Sequence, residues 1–322
     1  MNFRANGKLL ISGEYAVLDG SLALAVPSRF GQSMSVESGE ISNSPVLDWQ
    51  AFLPNNEFWF SVKINLKTIS VIETDNPKLA QKLIDLFEII EKLNHGFFKN
   101  QNRNINCKTR LEFPKDWGLG SSSTLVSLLA QFSGTDAYEL NRLSFGSSGY
   151  DIACATSKSA LLYQLKKGKP NAEAVEFNPS FKDKLYFVHL NKKQDTQLNV
   201  SENYKDLKPE KDWLNGISSI SYNMLKTDSI DEFEQLMNLH EEMISSRLGF
   251  RKVKELYFSD YKGCVKSLGA WGGDFVMITA KEDFKEYFES RGFETILSFD
   301  EMAGNGAQTA RCSHSSQNKD FG

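Results

Sequence analysis

Apolar and polar residues alternate over much of the first 75 residues, which is the pattern of strands that bury one face. Strands are predicted at Lys8–Ser12, Leu22–Val26 and 58–72. Asn76 and Pro77 then supply a helix cap and a proline suited to the first helical position. Apolar residues recur after them at helical spacing, at Leu79, Leu83, Leu86, Phe87, Ile90 and Leu93. The chain therefore opens as a β-rich region followed by an amphipathic helix.

The rest of the chain mixes strands with helices. Further strands are predicted at 105–113, 161–165, 185–190, 275–279 and 295–299. Helices are predicted at 122–132, 137–143, 209–225 and 283–290. A further helix should have Asp151 in its first turn, and another should begin at the capping-box pattern that starts with Ser229. A polar break at 166–170 predicts a boundary between a domain of residues 1–168 and a second of residues 169–300. Residues 301–322 are polar and aperiodic, which predicts a flexible tail.

Composition and charge exclude some classes of function but do not identify one. A chain of 322 residues with 40% hydrophobic and 24% charged residues is long enough for two ordinary domains. The net charge of −4 gives no support for a nucleic-acid or anionic-lipid partner. No apolar run is long enough for a signal peptide or a membrane span, so we expect a cytoplasmic protein. The sequence leaves the oligomeric state open, a homodimer included.

Cysteine and histidine are too scattered to suggest a metal or redox site. The four cysteines form no Cys-x-x-Cys pair, which argues against zinc and against a disulfide framework. A histidine-centred catalytic triad would likewise have to be assembled from distant points. The residues concerned are Cys107, Cys154, Cys264, Cys312, His95, His189, His240 and His314.

The segment from Pro114 to Thr124, followed by an apolar run at 125–130, is typical of an anion-binding loop that enters a helix. Its glycines allow backbone N–H groups to approach an anion, and its consecutive hydroxyls add donors. A nucleotide phosphate would fit. The alternative is that Ser121–Thr124 simply cap an ordinary helix. The segment is neither a Walker A sequence nor a Gly-x-Gly-x-x-Gly fingerprint, because Ser123 stands at the third glycine position.

Two other glycine-bearing segments, Asn6–Gly20 and Lys266–Phe275, flank this loop, and Ser148-Gly149-Tyr150-Asp151 lies between the second and the third. Together, over about residues 4–300, they resemble the GHMP kinases, the superfamily of galactokinase, homoserine kinase, mevalonate kinase and phosphomevalonate kinase. The resemblance implies a two-domain α+β fold. Its N-terminal domain would be like ribosomal protein S5 domain 2 and its C-terminal domain ferredoxin-like, with the active site between them. ATP, Mg²⁺ and a small-molecule acceptor, either an alcohol or a phosphate monoester, are implied as well.

The same resemblance assigns roles to particular residues. It implies that Asp151 and Lys8 are catalytic, as a carboxylate that orients the acceptor and an ammonium that stabilises developing negative charge. Taken singly, Asp151 could only stabilise its helix and Lys8 could be a solvated strand residue. Mg²⁺ is expected near Ser122, with Glu139 as an acidic ligand. The implied phosphate loop is Gly118, Leu119, Gly120, Ser121, Ser122, Ser123 and Thr124, and the implied substrate contacts are Glu14, Tyr15, Gly269, Ala270, Gly272 and Gly273.

The identity of the acceptor is less well defined. Glu14-Tyr15-Ala16-Val17-Leu18 and Gly272-Gly273-Asp274 look more like phosphomevalonate kinases, with mevalonate kinases close behind and galactokinases further away. Trp271 departs from the family pattern, because that position is usually glycine. Its indole could narrow the site or pack against the domain interface. A non-catalytic relative that binds a nucleotide or metabolite is therefore an alternative, although the presence of Lys8, Ser122 and Asp151 together favours an enzyme.

Overall fold

The computed structural model describes residues 1–192, 204, 207, 208, 210–269, 271 and 273–303. Its strands are β1 (Asn2–Ser12), β2 (Ala23–Ile41), β3 (Val46–Phe52), β4 (Phe58–Asn65), β5 (Ser70–Thr74), β6 (Arg103–Leu111), β7 (Ala160–Lys166), β8 (Lys169–Val175), β9 (Leu185–His189), β10 (Val265–Ser267), β11 (Phe275–Thr279) and β12 (Ile296–Ser298). Its α-helices are α1 (Pro77–Leu93), α2 (Ser121–Ser133), α3 (Ala137–Ser144), α4 (Tyr150–Thr156), α5 (Lys211–Lys226), α6 (Ile230–Leu248), α7 (Val253–Tyr257), α8 (Phe284–Glu289) and α9 (Phe299–Met302).

The N-terminal half is built on an eight-stranded sheet with the order β5-β4-β3-β6-β2-β7-β8, in which β1 pairs with β2. All of these pairs are antiparallel except β3 with β6. Helices α1 to α4 pack on one another, and α2 and α4 also pack on β1. The core between sheet and helices contains Trp49 and a stacked pair, Phe87 and Phe98, whose ring centroids are 4.3 Å apart. This layer brings β1 beside the starts of α2 and α4.

The C-terminal half contains a four-stranded antiparallel sheet with the order β10-β11-β9-β12. Helix α5 packs on α6, α5 also contacts β1 and β2, and α6 contacts β10. One continuous core joins the two halves, because Leu9 and Leu111 of the first sheet pack in the same cluster as Phe187 and Phe275 of the second. The junction between the sheets is therefore a packed interior that fixes β1 relative to β10 and β11.

Most of the elements expected from the sequence are confirmed, whereas β3, β8 and the short helix α7 were not predicted. The stretch 58–72 forms two strands, because residues 66–69 turn the chain between β4 and β5. Strand β2 runs on to Ile41, well past the predicted end at Val26. Its second part was missed because Ser, Gly and Glu interrupt the apolar pattern on the open face of the sheet.

The polar break at 166–170 contains the tight turn of a hairpin. Lys167 and Gly168 connect β7 to β8, and both strands belong to the first sheet, which continues to Val175. The break therefore reflects turn chemistry, since Lys167 and Gly168 both have positive φ angles, rather than a linker. Division of the chain into two domains stays a prediction.

The first residues of the predicted tail are structured, since Glu301 and Met302 belong to α9 and Ala303 bridges to Ser28. Residues 304–322, with Cys312 and His314, lie outside the described residues. Among the helices that are described, none has the length and apolar character needed to cross a membrane.

Candidate functional site

The glycine and serine loop has the backbone geometry of an anion site. Gly118 and Gly120 have φ angles of 65° and 88°, which L-residues with side chains adopt at a cost. Gly120 is the residue that precedes the first turn of α2, and it provides no side-chain cap for that turn. The N-terminal N–H groups and the positive end of the helix dipole are therefore available to an anion rather than to a capping oxygen.

The hydroxyls of the loop divide into two pairs with different surroundings. Ser123 is buried and donates to the Gly120 carbonyl (2.9 Å), and Thr124 is buried and donates to Oε1 of Gln32 (2.7 Å). Leu119 is also buried, in the core between the sheets. Ser121 is half-buried and Ser122 is exposed. Of the predicted phosphate-loop side chains, Ser121 and Ser122 face outward, whereas Leu119, Ser123 and Thr124 hold the loop in place.

Lys8 connects β1 to this loop. Its N–H donates to the Leu119 carbonyl (3.0 Å), and its side chain passes close to Gly120, where a Cβ would lie 3.2 Å from Lys8 Cγ. Its Nζ lies 3.6 Å from the position that a Cβ would take at Gly269, in the third glycine segment. Burial alone would lower the pKa of Lys8, but the Tyr150 phenol and the carboxylates of Asp274 and Asp151 outweigh it and raise that pKa. The side chain is therefore a charged ammonium where the three segments meet.

Asp151 lies in the first turn of the short helix α4, as expected from the sequence. Its Oδ1 accepts hydrogen bonds from the Ser147 hydroxyl (2.9 Å) and from the Ile152 N–H (3.0 Å). The buried amide of Asn141 in turn donates to Ser147 Oγ (2.8 Å). Burial raises the pKa of Asp151, against the lowering effects of Ser147 and Lys8. The carboxylate is thus held in one orientation and is electrostatically coupled to Lys8.

Asp274 is a site residue that sequence reasoning missed. It is buried, and its carboxylate lies over the phosphate loop, since a Cβ at Gly118 would meet Asp274 Oδ2 at 2.1 Å. Lys8, Gly118 and Asp274 line the same small cavity, of about 10 Å³. The signal was present in the sequence as the only acidic residue of the third glycine segment, but only the fold shows that it lines the same cavity as Lys8.

Glu14 does not line the small cavity beside Lys8, Gly118 and Asp274, although the family resemblance implied that this residue contacts the substrate. Its side chain is 1% exposed; Lys266 Nζ donates to Oε1 (2.7 Å), and Oε2 lies 3.0 Å from His240 Nε2. Burial by itself would raise the pKa of Glu14, but Lys266 and His240 lower it to about 2. Glu14 is ionised inside the protein and ties β1 to β10 and α6, so a direct substrate contact by this carboxylate has no support.

A second buried carboxyl beside this cluster gives a test of pH dependence. Glu241 accepts a hydrogen bond from the Ser267 hydroxyl (3.3 Å), and burial raises its pKa to about 8, with Glu14 raising it further and Lys266 lowering it. Between the ordinary pKa of 4.5 and a value of about 8, the folded state holds a proton that the unfolded state has released. The free energy of unfolding should therefore fall with rising pH across this window.

The measurement is urea unfolding of the wild type and of Glu241→Gln at several pH values from 5 to about 8.5. The wild type should lose stability relative to the variant as the pH rises. Parallel curves for the two proteins would show that Glu241 is already ionised in the folded state at pH 5.

Of the other residues implied to contact the substrate, only some lie near this cavity. Gly269 borders Lys8, and Gly273 is buried next to Asp274. Tyr15 is buried, and its hydroxyl accepts a hydrogen bond from the N–H of Trp271 (3.1 Å). Ala270 and Gly272 lie outside the described residues.

Trp271 packs in the interior, which is the second of the two alternatives that the sequence left open. Its indole N–H donates to the Arg251 carbonyl (3.1 Å), and its ring lies in a cluster with Tyr15, Ile217 and Ile244. The residue anchors the third glycine segment to α5 and α6 and does not occupy the space above Gly118 and Gly120.

The expected acidic metal ligand is not supported. Both oxygens of Glu139 accept hydrogen bonds from Arg142, at 2.8 and 2.6 Å, on the exposed face of α3. Within the described residues no cluster of three or more His, Cys, Asp or Glu side chains could hold a metal ion. The hydroxyl of Ser122 is exposed at the start of α2, and a Mg²⁺ contact there stays a prediction.

Comparison with known proteins finds similar solved structures but no match by sequence. The sequence matches no protein-family model and no curated protein. The phosphomevalonate kinase of Streptococcus pneumoniae, solved with phosphomevalonate and AMPPNP, superposes with a TM-score of 0.64 at 17% identity, covering 90% of this chain and 95% of that one. The mevalonate kinase of Methanococcus jannaschii gives a TM-score of 0.62 at 18% identity, covering 92% and 96%. This protein has the GHMP kinase fold.

The galactokinase of Lactococcus lactis, complexed with galactose, is similar as well, with a TM-score of 0.62 at 13% identity and coverage of 95% and 93%. The expected α+β GHMP kinase fold is thus confirmed over nearly the whole chain. Because kinases for mevalonate, phosphomevalonate and galactose match about equally well, this likeness shows the fold and leaves the acceptor open.

Proposed function

We propose that this protein is an ATP-dependent kinase that phosphorylates a small molecule. The observation that carries the proposal is the position of Lys8, whose backbone is bound to the phosphate loop and whose ammonium faces Asp151 and the third glycine segment. The loop from Gly118 to Thr124 and the N-terminus of α2 would hold the phosphates of ATP. Mg²⁺ beside Ser122 would neutralise phosphate charge.

The chemistry of the remaining residues follows from their charges. Phosphoryl transfer passes through a loose transition state, so the protein acts mainly by positioning groups and neutralising charge. Asp151, held by Ser147, would orient an acceptor hydroxyl and take its proton. Lys8 would stabilise the negative charge that develops on the acceptor oxygen and on the transferred group. For a phosphate-monoester acceptor, whose oxygen is already deprotonated, Asp151 would serve only to orient it.

We propose phosphomevalonate or mevalonate as the acceptor. Two short motifs support this choice, Glu14-Tyr15-Ala16-Val17-Leu18 and Gly272-Gly273-Asp274, which look more like phosphomevalonate kinases than galactokinases. Homoserine or a sugar as acceptor would make the protein another kinase of the same fold. A non-catalytic role as a nucleotide or metabolite sensor is the alternative from a different functional class.

The test is a panel of ADP-release assays with ATP and Mg²⁺, each with one acceptor: mevalonate, phosphomevalonate, homoserine or galactose. We expect ADP release that depends on phosphomevalonate or mevalonate. Nucleotide binding in calorimetry without any acceptor-dependent ADP release would favour the sensor and refute the kinase.

Lys8→Ala should lower kcat by about 10²- to 10³-fold, because it removes the ammonium from the meeting point of the three segments. Lys63→Ala is a matched control, since Lys63 is an exposed strand lysine paired with Glu73 far from the loop. Steady-state kinetics at saturating ATP and acceptor measures both variants. A kcat of Lys8→Ala equal to that of the control would remove Lys8 from the mechanism.

A further inference from the structure

The third glycine segment contributes a charge to the site as well as a loop. Asp274 is the residue just before β11, and its backbone has a φ angle of 53°, a conformation that favours glycine or asparagine. Two backbone hydrogen bonds hold it there, from the Leu190 N–H to the Asp274 carbonyl (2.8 Å) and from the Asp274 N–H to the Lys192 carbonyl (2.7 Å). The carboxylate therefore projects from a fixed backbone.

The position of this carboxylate depends on Gly118. A Cβ at Gly118 would lie 2.1 Å from Oδ2, 2.2 Å from Cγ and 2.7 Å from Oδ1 of Asp274, so only a residue without a side chain leaves room for it. The carboxylate thus rests on the backbone of the phosphate loop, while Lys8 passes beside Gly120 of the same loop. A negative charge at this point repels phosphate unless a cation balances it.

The Lys8 side chain lines the same small cavity as Asp274. The groups that raise the pKa of Lys8 are Tyr150 and Asp151 of α4 and Asp274 of the loop before β11. Asp151 is also bound to Ser147 and to the Ile152 N–H, and so is fixed independently of Lys8. Asp274 approaches from the opposite half of the molecule, so carboxylates on two separate elements act on the charge of Lys8.

We propose that Asp274 is a positioning residue that holds the Lys8 ammonium over the phosphate loop, between Asp151 and Gly118. For its part in catalysis this inference rests on the proposed kinase function. The other part of the inference, that the Asp274 carboxylate fixes the Lys8 side chain, does not depend on the kinase function. The two can therefore be tested separately.

The main variant is Asp274→Asn, because asparagine has nearly the same size and tolerates a positive φ angle. Asp283→Asn is the matched control: Asp283 also has a positive φ angle, 55°, but it is exposed at the start of α8. Lys8 is labelled with acetic anhydride at a series of pH values, and the extent of reaction is read by mass spectrometry of its peptide. This readout needs no activity.

We expect Lys8 in Asp274→Asn to become reactive at a pH lower by about one unit or more than in Asp283→Asn, because one stabilising carboxylate is lost. Where the kinase assay is positive, kcat should also fall by about tenfold or more, with the alkaline limb of its pH profile shifted down, while the control stays normal. An unchanged labelling curve would overturn the proposal, whatever the turnover.

Gly118→Ala provides a second route if Asp274→Asn does not fold. The added methyl must displace the Asp274 carboxylate without changing its charge, so the labelling curve of Lys8 should shift in the same direction. No shift in this variant would also overturn the proposal. A wild type without acceptor-dependent ADP release but with the expected shifts would refute the kinase function and leave the Asp274 and Lys8 pairing supported.

Discussion

Asp151→Asn should lower kcat by about 10²- to 10⁴-fold in the ADP-release assay with an alcohol acceptor. Asparagine keeps the size of the side chain and can still accept from Ser147, but it cannot take a proton and it removes a charge that faces Lys8. In the wild type, turnover should decline at acid pH as Asp151 becomes protonated, with the midpoint above the ordinary pKa of 3.8 because burial raises it.

The control addresses the structural alternative, in which Asp151 only stabilises the first turn of α4. Asp231 lies in the first turn of α6 and is exposed. Asp231→Asn removes the same favourable interaction with a helix N-terminus, worth about 0.3–1 kcal/mol, and leaves the residues around Lys8 unchanged. If Asp151→Asn behaved like this control, with a small loss of stability and normal turnover, Asp151 would have no catalytic role.

Lys266→Met should destabilise the fold by about 3–5 kcal/mol, the usual cost of removing one partner from a buried ion pair. Lys266 is completely buried, and its ammonium donates to Glu14 Oε1 (2.7 Å) and to the Ser267 carbonyl (2.8 Å). Without it, the Glu14 carboxylate would be a buried charge beside His240, and burial lowers the pKa of that imidazole. Chemical denaturation measures the change.

Two comparisons separate the charge from the packing. Glu14→Leu combined with Lys266→Met should recover much of the loss, because replacing both members of a buried pair with apolar residues is often neutral. Lys63→Met, in the exposed pair with Glu73, should hardly change stability. A single Lys266→Met variant as stable as the wild type would mean that Glu14 is not ionised in the interior.

Much of the site was readable from the sequence because its parts are local. A glycine, three serines and a threonine before an apolar run predict the N-terminus of a helix, and the structure shows that no side chain caps it. The first turn of α4 could likewise be predicted around Asp151. The backbone of Lys8 is bound to the loop, and Asp151 raises the pKa of Lys8. Their chemical roles stay predictions.

The sequence determined most of the element types and the glycine and serine loop before α2, because periodicity and turn chemistry act over a few neighbouring residues. Only the tertiary structure decided that Glu14 is buried against Lys266, that Trp271 packs in the interior, and that Asp274 lies over Gly118. Each of these depends on contacts between segments more than 100 residues apart, and no local pattern specifies how two such segments pack.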